Sequence, residues 1–254
     1  MKIWQGIVLG LIQGITEFLP VSSSGHLLFF EKLGIGEESI FFNICMHVGT
    51  LFSVIIITRK TLVQIVKNRQ DKTLRFLILS CLPTVAIALL FKALAPTLLS
   101  GAYLPFGFMA TTVCLIACEK LDFAQNKGLS VKSSILSGVF QGIAVLPGIS
   151  RSGATITALR LSGVDKKQSA DFSFLMSIPI ILGSLIVESI DLFKGDFTLP
   201  TRDILPLILG TLTAFISGCF AIKFFLKIIK DKSLLPFAIY TFILSVASFF
   251  LMAK

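Results

Sequence analysis

The stretch QGITEFLPVSSSGH, residues 13–26, decides the fold because it places polar and charged groups inside an otherwise apolar segment. A related stretch, QGIAVLPGISRSG, follows 128 residues later at residues 141–153. Both contain Gln-Gly-Ile and, after a Pro, a Ser-rich run that ends in Gly. A repeat with a period of half the chain predicts two related structural halves.

Composition indicates that lipid is the main solvent of this chain. Of its 254 residues, 54% are hydrophobic and 15% are charged, and the mean hydropathy is +0.90. These values lie outside the range of soluble globular domains. Six segments have the length and apolarity of bilayer-spanning helices: residues 41–58, 74–91, 102–118, 170–187, 204–222 and 234–251.

Two further segments, residues 1–29 and 132–161, are apolar at both ends and broken in the middle by Pro, Gly and Ser. This pattern favours re-entrant helix-loop-helix segments that enter the membrane and return on the same side. The predicted fold is therefore an all-α integral membrane protein with six transmembrane helices and two re-entrant segments. It forms a single membrane domain, residues 1–254, with repeats of approximately 1–125 and 126–254.

Charge predicts the orientation of the spans. The net charge of +9 comes from basic loops rather than from a basic face, which argues against nucleic acid as a partner. The positive-inside rule places two basic loops in the cytoplasm and two acidic loops outside. The basic loops hold Arg59, Lys60, Lys67, Arg69, Lys72 and Arg75, and Lys223, Lys227, Lys230 and Lys232; the acidic ones hold Glu31 to Glu38, and Glu188, Asp191, Asp196 and Asp203. With three spans between equivalent points, the two repeats are expected to be inverted.

The first broken segment contains a candidate cation site. Gln13 and Glu17 stand four residues apart, so on a helix they share one face. An amide oxygen and a carboxylate there could hold a hard divalent cation, Mg²⁺ or Ca²⁺. A diphosphate substrate could supply the remaining oxygen ligands.

The two Ser-rich loops predict an anion site. Each offers hydroxyl groups and free backbone N–H groups at a helix start, predicted in the first loop at Gly25 or His26. Arg151 adds a guanidinium suited to bidentate phosphate recognition. The candidate phosphate-binding residues are Ser22, Ser24, Ser150, Arg151, Ser152 and Thr155.

His26 is the predicted acid/base, and Ser23 or Ser22 is the predicted nucleophile. Direct attack by water, with Ser23 orienting it, stays open. So do structural roles, because Ser and Gly are common in helix contacts and a lone His can be a polar group satisfied between helices. His47 and Asn43 are weaker candidates outside the core site.

The run from Pro20 to His26, the run from Pro147 to Thr155 and the Gln13-x-x-x-Glu17 pattern resemble the undecaprenyl-diphosphate phosphatases of the bacitracin-resistance (BacA) family. The resemblance covers essentially the whole chain. It implies removal of the terminal phosphate from undecaprenyl diphosphate, which recycles the lipid carrier for peptidoglycan synthesis and gives bacitracin resistance. It also implies a multi-pass protein of the bacterial inner membrane whose site opens to the outside.

By the same resemblance, Glu17 and Gln13 fall on the motif linked to the divalent cation. Ser23 falls on the proposed nucleophile, and His26 falls on the acid/base. Arg151, with Ser150 and Thr155, falls on the phosphate-binding motif. The expected partners are a polyprenyl diphosphate lipid and membrane lipid, and a homodimer is compatible with the sequence.

The alternative is a secondary transporter or lipid flippase, because inverted repeats with broken helices are foremost a transport architecture. A pure transporter needs no nucleophile beside an acid/base, so the grouping of Ser, His, Glu and Arg favours an enzyme.

Overall fold

The computed structural model describes residues 1–36, 39–68, 70–120, 127–194 and 204–252. Within these ranges the chain is helical, with no strand, which confirms the predicted fold class. The helices are α1 (Ile3–Phe18), α2 (Ser23–Lys32), α3 (Ile40–Lys67), α4 (Thr73–Leu94), α5 (Pro96–Leu99), α6 (Leu104–Lys120), α7 (Val131–Ile143), α8 (Arg151–Leu161), α9 (Lys166–Lys194), α10 (Ile204–Ile228) and α11 (Leu235–Met252).

The long helices give the chain the character of a multi-pass membrane protein. Five of them, α3, α4, α9, α10 and α11, are long and apolar enough to cross a membrane. The sixth predicted span corresponds to α6, which has 17 residues. Large apolar side chains on the outer faces, such as Leu82, Ile216 and Phe250, are more than 60% exposed. Such side chains suit contact with lipid tails.

Both broken segments form a helix, a loop and a second helix. The helices α1 and α2 have 16 and 10 residues, and α7 and α8 have 13 and 11. At about 1.5 Å per residue, even α1 reaches only about 24 Å, which is less than the roughly 30 Å of a bilayer core. The helix-loop-helix form is confirmed, and the return of each segment to its own side of the membrane stays a prediction.

The first helix packs against α10 through small residues at four-residue spacing. Gly10 of α1 faces Gly210 of α10, and a Cβ atom on Gly10 would collide with the Gly210 carbonyl oxygen. Gly14 approaches Ala214 and Ser217 in the same way. Small residues let two helix backbones approach closely where no side chain fits between them.

The second half makes the equivalent contact with the partners exchanged. The helix α7, which corresponds to α1, packs against α4, which corresponds to α10. A Cβ atom on Gly138 of α7 would collide with the Ser80 carbonyl oxygen of α4. The helices α3 and α9 also pack together, as do α6 and α11. This exchange of partners is what a two-fold relation between the halves would produce. The predicted boundary near residue 125 lies outside the described residues.

Several charged residues predicted in loops are instead helical. Glu188 and Asp191 belong to the C-terminal part of α9, so their assignment to an acidic loop was wrong. The helix continues past the apolar run because polar side chains are compatible with helical backbone hydrogen bonding. Asp191 also forms an ion pair with Lys92 of α4 at 2.6 Å. The residues Arg59, Lys60 and Lys67 belong to α3, Arg75 to α4, and Lys223 and Lys227 to α10. Glu37, Glu38, Arg69, Asp196 and Asp203 lie outside the described residues.

Candidate active site

Glu17 lies one residue before the C-terminal end of α1 and is the centre of a buried polar cluster. Gln13, one turn earlier, donates a hydrogen bond from Nε2 to Glu17 Oε2 at 3.0 Å, which confirms the predicted shared face. Gln13 is fully buried and Glu17 is 7% exposed. A charged group at such depth in a membrane protein is expensive, and it therefore needs partners of opposite polarity.

The loop after α1 brings the chain back to Glu17. Ser22 has a φ of 71°, the left-handed region that residues other than glycine rarely adopt. Its Oγ accepts a hydrogen bond from the Gly25 N–H at 3.3 Å and so caps α2. The helix therefore begins at Ser23, two residues earlier than the first predicted start. The Ser23 hydroxyl donates a hydrogen bond to Glu17 Oε2.

The second half places the guanidinium group of Arg151 beside the same carboxylate. Ser150 caps α8 by accepting from the Gly153 N–H at 3.1 Å, so Arg151 is the first residue of that helix. Arg151 Nη2 lies 2.6 Å from Glu17 Oε1, and Nη1 donates to the Ser177 carbonyl oxygen at 3.4 Å. The repeat-related loops thus meet on one carboxylate, with a hydroxyl on one oxygen and a guanidinium on the other.

His26 is buried beside the cluster, but its ring is engaged elsewhere. Its Nδ1 lies 2.6 Å from the Ser22 carbonyl oxygen, which can only accept, so Nδ1 carries the proton. Its Nε2 lies 2.8 Å from the hydroxyl group of Tyr240 on α11, and the two rings stack with centroids 5.6 Å apart. In the part of the chain that the structure describes, no hydrogen bond joins His26 to Ser23.

The remaining predicted phosphate-binding residues divide into two groups. Ser24 is exposed beside Ser23. The buried hydroxyl groups of Ser152 and Thr155 stabilise the loops: Ser152 donates to the Leu19 carbonyl oxygen at 3.1 Å, and Thr155 donates to the Arg151 carbonyl oxygen at 2.9 Å. Ser22 and Ser150 use their hydroxyl groups as helix caps.

Two residues near the cluster were not predicted as members of the core site: one was a weaker candidate, and the other was not predicted at all. His47 Nδ1 of α3 lies 3.4 Å from Gln13 Nε2, so this side chain, set aside from the core site, is in contact with it. Tyr240 had no sequence signal beyond being one of two tyrosines in the chain. It meets His26 because α11 and α2 both contact α6.

The donor set determines which cofactor could bind. No three His, Cys, Asp or Glu side chains of the described residues gather as a metal cluster. Gln13 Oε1 is buried and has no hydrogen-bond partner, so one oxygen ligand is free beside Glu17. A hard cation that takes further oxygens from a bound phosphate or from water fits this set.

This arrangement suits chemistry on a phosphate ester or anhydride. A serine hydroxyl bound to a carboxylate is an activated nucleophile, and an arginine beside it can bear charge on a transferring phosphoryl group. The N-termini of α2 and α8 add partial positive charge at Ser23 and Arg151. The surrounding helices bury Gln13 and Glu17, whereas Ser23 and Arg151 remain partly exposed.

Comparisons with known proteins point to the same chemistry. The family model described as bacitracin resistance protein BacA matches residues 6–247. An undecaprenyl-diphosphatase of Carboxydothermus hydrogenoformans is 37% identical over 100% of this chain and 98% of its own length. Undecaprenyl-diphosphatases of Christiangramia forsetii and Halothermothrix orenii are 38% and 39% identical, over 98% and 97% of this chain and 97% and 96% of theirs.

Proposed function

Because the chain belongs to the family of the bacitracin resistance protein BacA, we propose that it is an undecaprenyl-diphosphatase. It hydrolyses undecaprenyl diphosphate to undecaprenyl phosphate and inorganic phosphate. The observation that carries the proposal is the meeting of Ser23 and Arg151 on the buried carboxylate of Glu17. Transport alone would not require a hydroxyl nucleophile at that position.

Arg151 and Glu17 form an ion pair, with side chains only 16% and 6% exposed. A terminal phosphate entering the site offers Arg151 a better partner, because a phosphate carries more charge and accepts bidentate hydrogen bonds. Transfer of Arg151 to the phosphate releases Glu17 Oε1. The freed carboxylate then becomes a stronger base toward the Ser23 hydroxyl.

In the first step, Ser23 Oγ attacks the terminal phosphorus and gives its proton to Glu17. The bond from phosphorus to the bridging oxygen breaks, and the electron pair leaves with undecaprenyl phosphate. A phosphate monoester is a stable anion, so this leaving group needs no general acid. Glu17 then releases the proton of Ser23 to solvent. In the second step Glu17 takes a proton from the attacking water and returns it to Ser23 Oγ as the bond from phosphorus to Ser23 breaks, which frees inorganic phosphate. Direct attack by water held at Ser23 is the competing route.

His26 was predicted as the acid/base, but the observed bonds favour a positioning role. It joins the strained backbone of Ser22 to Tyr240 of α11 and so stabilises the turn that presents Ser23. A divalent cation, Mg²⁺ or Ca²⁺, would be held by Gln13 and Glu17 together with phosphate oxygens. It would supply Lewis-acid neutralisation of the diphosphate charge.

The lipid substrate, the membrane and the orientation belong to the same proposal. The undecaprenyl tail lies among the apolar outer faces of the helices, and membrane lipid surrounds them. Basic residues near the ends of α3 and α10 favour the cytoplasmic side for those ends. The site then opens to the outside of the bacterial inner membrane.

A homodimer would use the exposed apolar helix faces, and the mass of the detergent-solubilised protein tests it.

The experiment that tests the function is phosphate release from undecaprenyl diphosphate by the purified protein in detergent, with and without divalent cation. We expect cation-dependent release whose kcat/KM falls by about 10²–10³-fold in Arg151→Ala. A folded protein that binds the lipid but releases no phosphate would overturn the phosphatase proposal and favour transport.

A further inference from the structure

The side-chain amide of Gln13 contacts two acceptors at once. Its Nε2 lies 3.0 Å from Glu17 Oε2 on the same helix and 3.4 Å from His47 Nδ1 on α3. A carboxylate oxygen only accepts, so Glu17 fixes the amide with its nitrogen toward the carboxylate. An amide nitrogen carries two hydrogens, and the second is left for His47. The imidazole must therefore accept at Nδ1 and carry its own proton on Nε2.

This orientation determines which atom of Gln13 is available to a ligand. With the nitrogen engaged by Glu17 and His47, the carbonyl oxygen Oε1 is buried and has no hydrogen-bond partner among the described residues. Buried acceptors without a partner are rare. If His47 were absent, Glu17 alone would hold the amide by one hydrogen, and the amide plane could rotate about that bond. The carbonyl oxygen would then lose its fixed direction.

The second repeat contains the same glutamine arrangement without the carboxylate. Gln141, which corresponds to Gln13, donates from Nε2 to Thr84 Oγ1 at 3.2 Å, and its Oε1 also has no partner among the described residues. Four residues later this repeat has Val145, where the first repeat has Glu17. Both halves therefore hold a glutamine carbonyl in place, but only the one in the first half lies beside a carboxylate that can share a hard cation with it.

We propose that His47 is a positioning residue for the cation site: it accepts the second amide hydrogen of Gln13 and so presents the Gln13 carbonyl oxygen, together with Glu17, to the divalent cation. The imidazole acts through Gln13 and is not itself a ligand. Groups that orient a metal ligand usually contribute about 10–100-fold to metal affinity. The inference rests on the proposed function for the cation and its phosphate partner, but both the hydrogen bond and cation binding are measurable without turnover.

The first test is Mn²⁺ binding to the EDTA-treated full-length protein in detergent. Electron paramagnetic resonance measures it, with inorganic phosphate as the source of further oxygen ligands. His47→Phe keeps an aromatic ring but removes the acceptor, and it should weaken binding by at least about tenfold. His47→Asn keeps an acceptor near the position of Nδ1 and should recover most of the loss. Thr84→Val is the matched control, because it removes the equivalent partner of Gln141 and should leave Mn²⁺ binding unchanged.

A double-mutant cycle tests whether His47 acts through Gln13. Gln13→Glu replaces the amide with a carboxylate, which offers an oxygen in either orientation and no longer needs His47 to fix it. In that background His47→Phe should change Mn²⁺ affinity by less than about twofold, which is within the usual error of additivity. A role of His47 in filling space between the helices would instead give the same loss in both backgrounds.

The second test is the tautomer of the imidazole, which needs neither cation nor phosphate. The chain has only two histidines, so ¹⁵N NMR of the histidine-labelled protein in alkaline buffer resolves both rings, and His47→Phe assigns them. We expect the proton of His47 on Nε2. The proton of His26 is expected on Nδ1, because that atom faces the Ser22 carbonyl oxygen.

Each of four results would overturn the inference: an unmodified protein that binds no Mn²⁺, a folded His47→Phe variant that binds it as tightly as the unmodified protein, an equal loss in the Gln13→Glu background, or a His47 proton on Nδ1. So would a folded His47→Asn variant that binds as weakly as His47→Phe. Thermal unfolding of each variant verifies the fold.

Failure of this inference is distinguishable from failure of the proposed function. A protein that binds Mn²⁺ in a manner dependent on His47 but releases no phosphate from undecaprenyl diphosphate would contradict the proposed function alone. Phosphate release by a protein whose Mn²⁺ binding is unaffected by His47→Phe would contradict the positioning role alone.

Discussion

Ser23 and Arg151 occupy equivalent positions in the two repeats, and each is the first residue of a helix capped by a serine. They meet on opposite oxygens of the Glu17 carboxylate. Both halves therefore have a serine-capped helix start, but the first helical residue carries a hydroxyl in one half and a guanidinium in the other. The chemistry proposed for this site depends on that difference.

Replacing Arg151 tests its role as the phosphate ligand. Arg151→Ala should lower kcat/KM for phosphate release by about 10²–10³-fold, the usual effect of removing one preorganised donor to a developing charge. Arg151→Lys should recover part of the loss, because an ammonium keeps the charge but not the two-point geometry. Steady-state kinetics measure both. Arg59→Ala, an exposed arginine on α3, should leave kcat/KM unchanged.

Replacing Ser23 separates covalent catalysis from direct attack by water. Ser23→Ala should abolish turnover if Ser23 is the nucleophile. Ser100→Ala should have little effect, because Ser100 is an exposed serine outside the site that bonds the Thr97 carbonyl oxygen. Acid quenching during turnover of substrate labelled in its terminal phosphate should trap phosphoserine on the unmodified protein. Turnover without any trapped label, together with residual activity in Ser23→Ala, would assign the attack to water.

The two hydrogen bonds of His26 allow its acid/base and positioning roles to be distinguished. His26→Asn keeps a donor near the Nδ1 position that bonds Ser22, so a positioning role predicts substantial recovery of kcat relative to His26→Ala. An acid/base role predicts equal loss in both. Tyr240→Phe removes the other partner and should destabilise the protein by about 1 kcal/mol, measured by thermal unfolding. Unchanged stability and kcat in Tyr240→Phe would argue against the contact.

Packing of α1 against α10 predicts strong sensitivity at one glycine. Gly10→Ala should destabilise the protein by about 1–3 kcal/mol because the added methyl group collides with the backbone of Gly210. Gly183→Ala on α9 is the control, since a Cβ atom there meets nothing within 4 Å. It should stabilise the helix by about 0.5–1 kcal/mol. Thermal unfolding in one detergent compares them, and equal shifts would contradict the close contact.

Much of the fold was predictable because a long apolar run in the sequence is by itself a strong indication of a membrane-spanning helix. All six predicted spans are helices, and both broken segments divide at the predicted Pro and Ser positions. The ends of helices were less predictable. The helix α9 continues through Glu188 to Lys194, because backbone hydrogen bonding does not stop where apolar side chains do.

The central residues of the candidate site were predictable because polar groups in a lipid-facing sequence are costly and therefore conspicuous. Gln13, Glu17, Ser23 and Arg151 come together as expected. The partners of His26 were not predictable, because Tyr240 is 214 residues away and only tertiary packing joins them.

The packing of α1 against α10 has a consequence for how the protein is made. Every residue of the proposed catalytic cluster has been synthesised by the end of α9, yet the helix that covers the glycine face of α1 comes afterwards. At roughly 5–20 residues per second, α1 waits about 10–40 s for α10 to leave the ribosome. During that interval lipid or a membrane chaperone must occupy the glycine face, so a nascent chain arrested after α9 would carry all the catalytic groups without the architecture that aligns them.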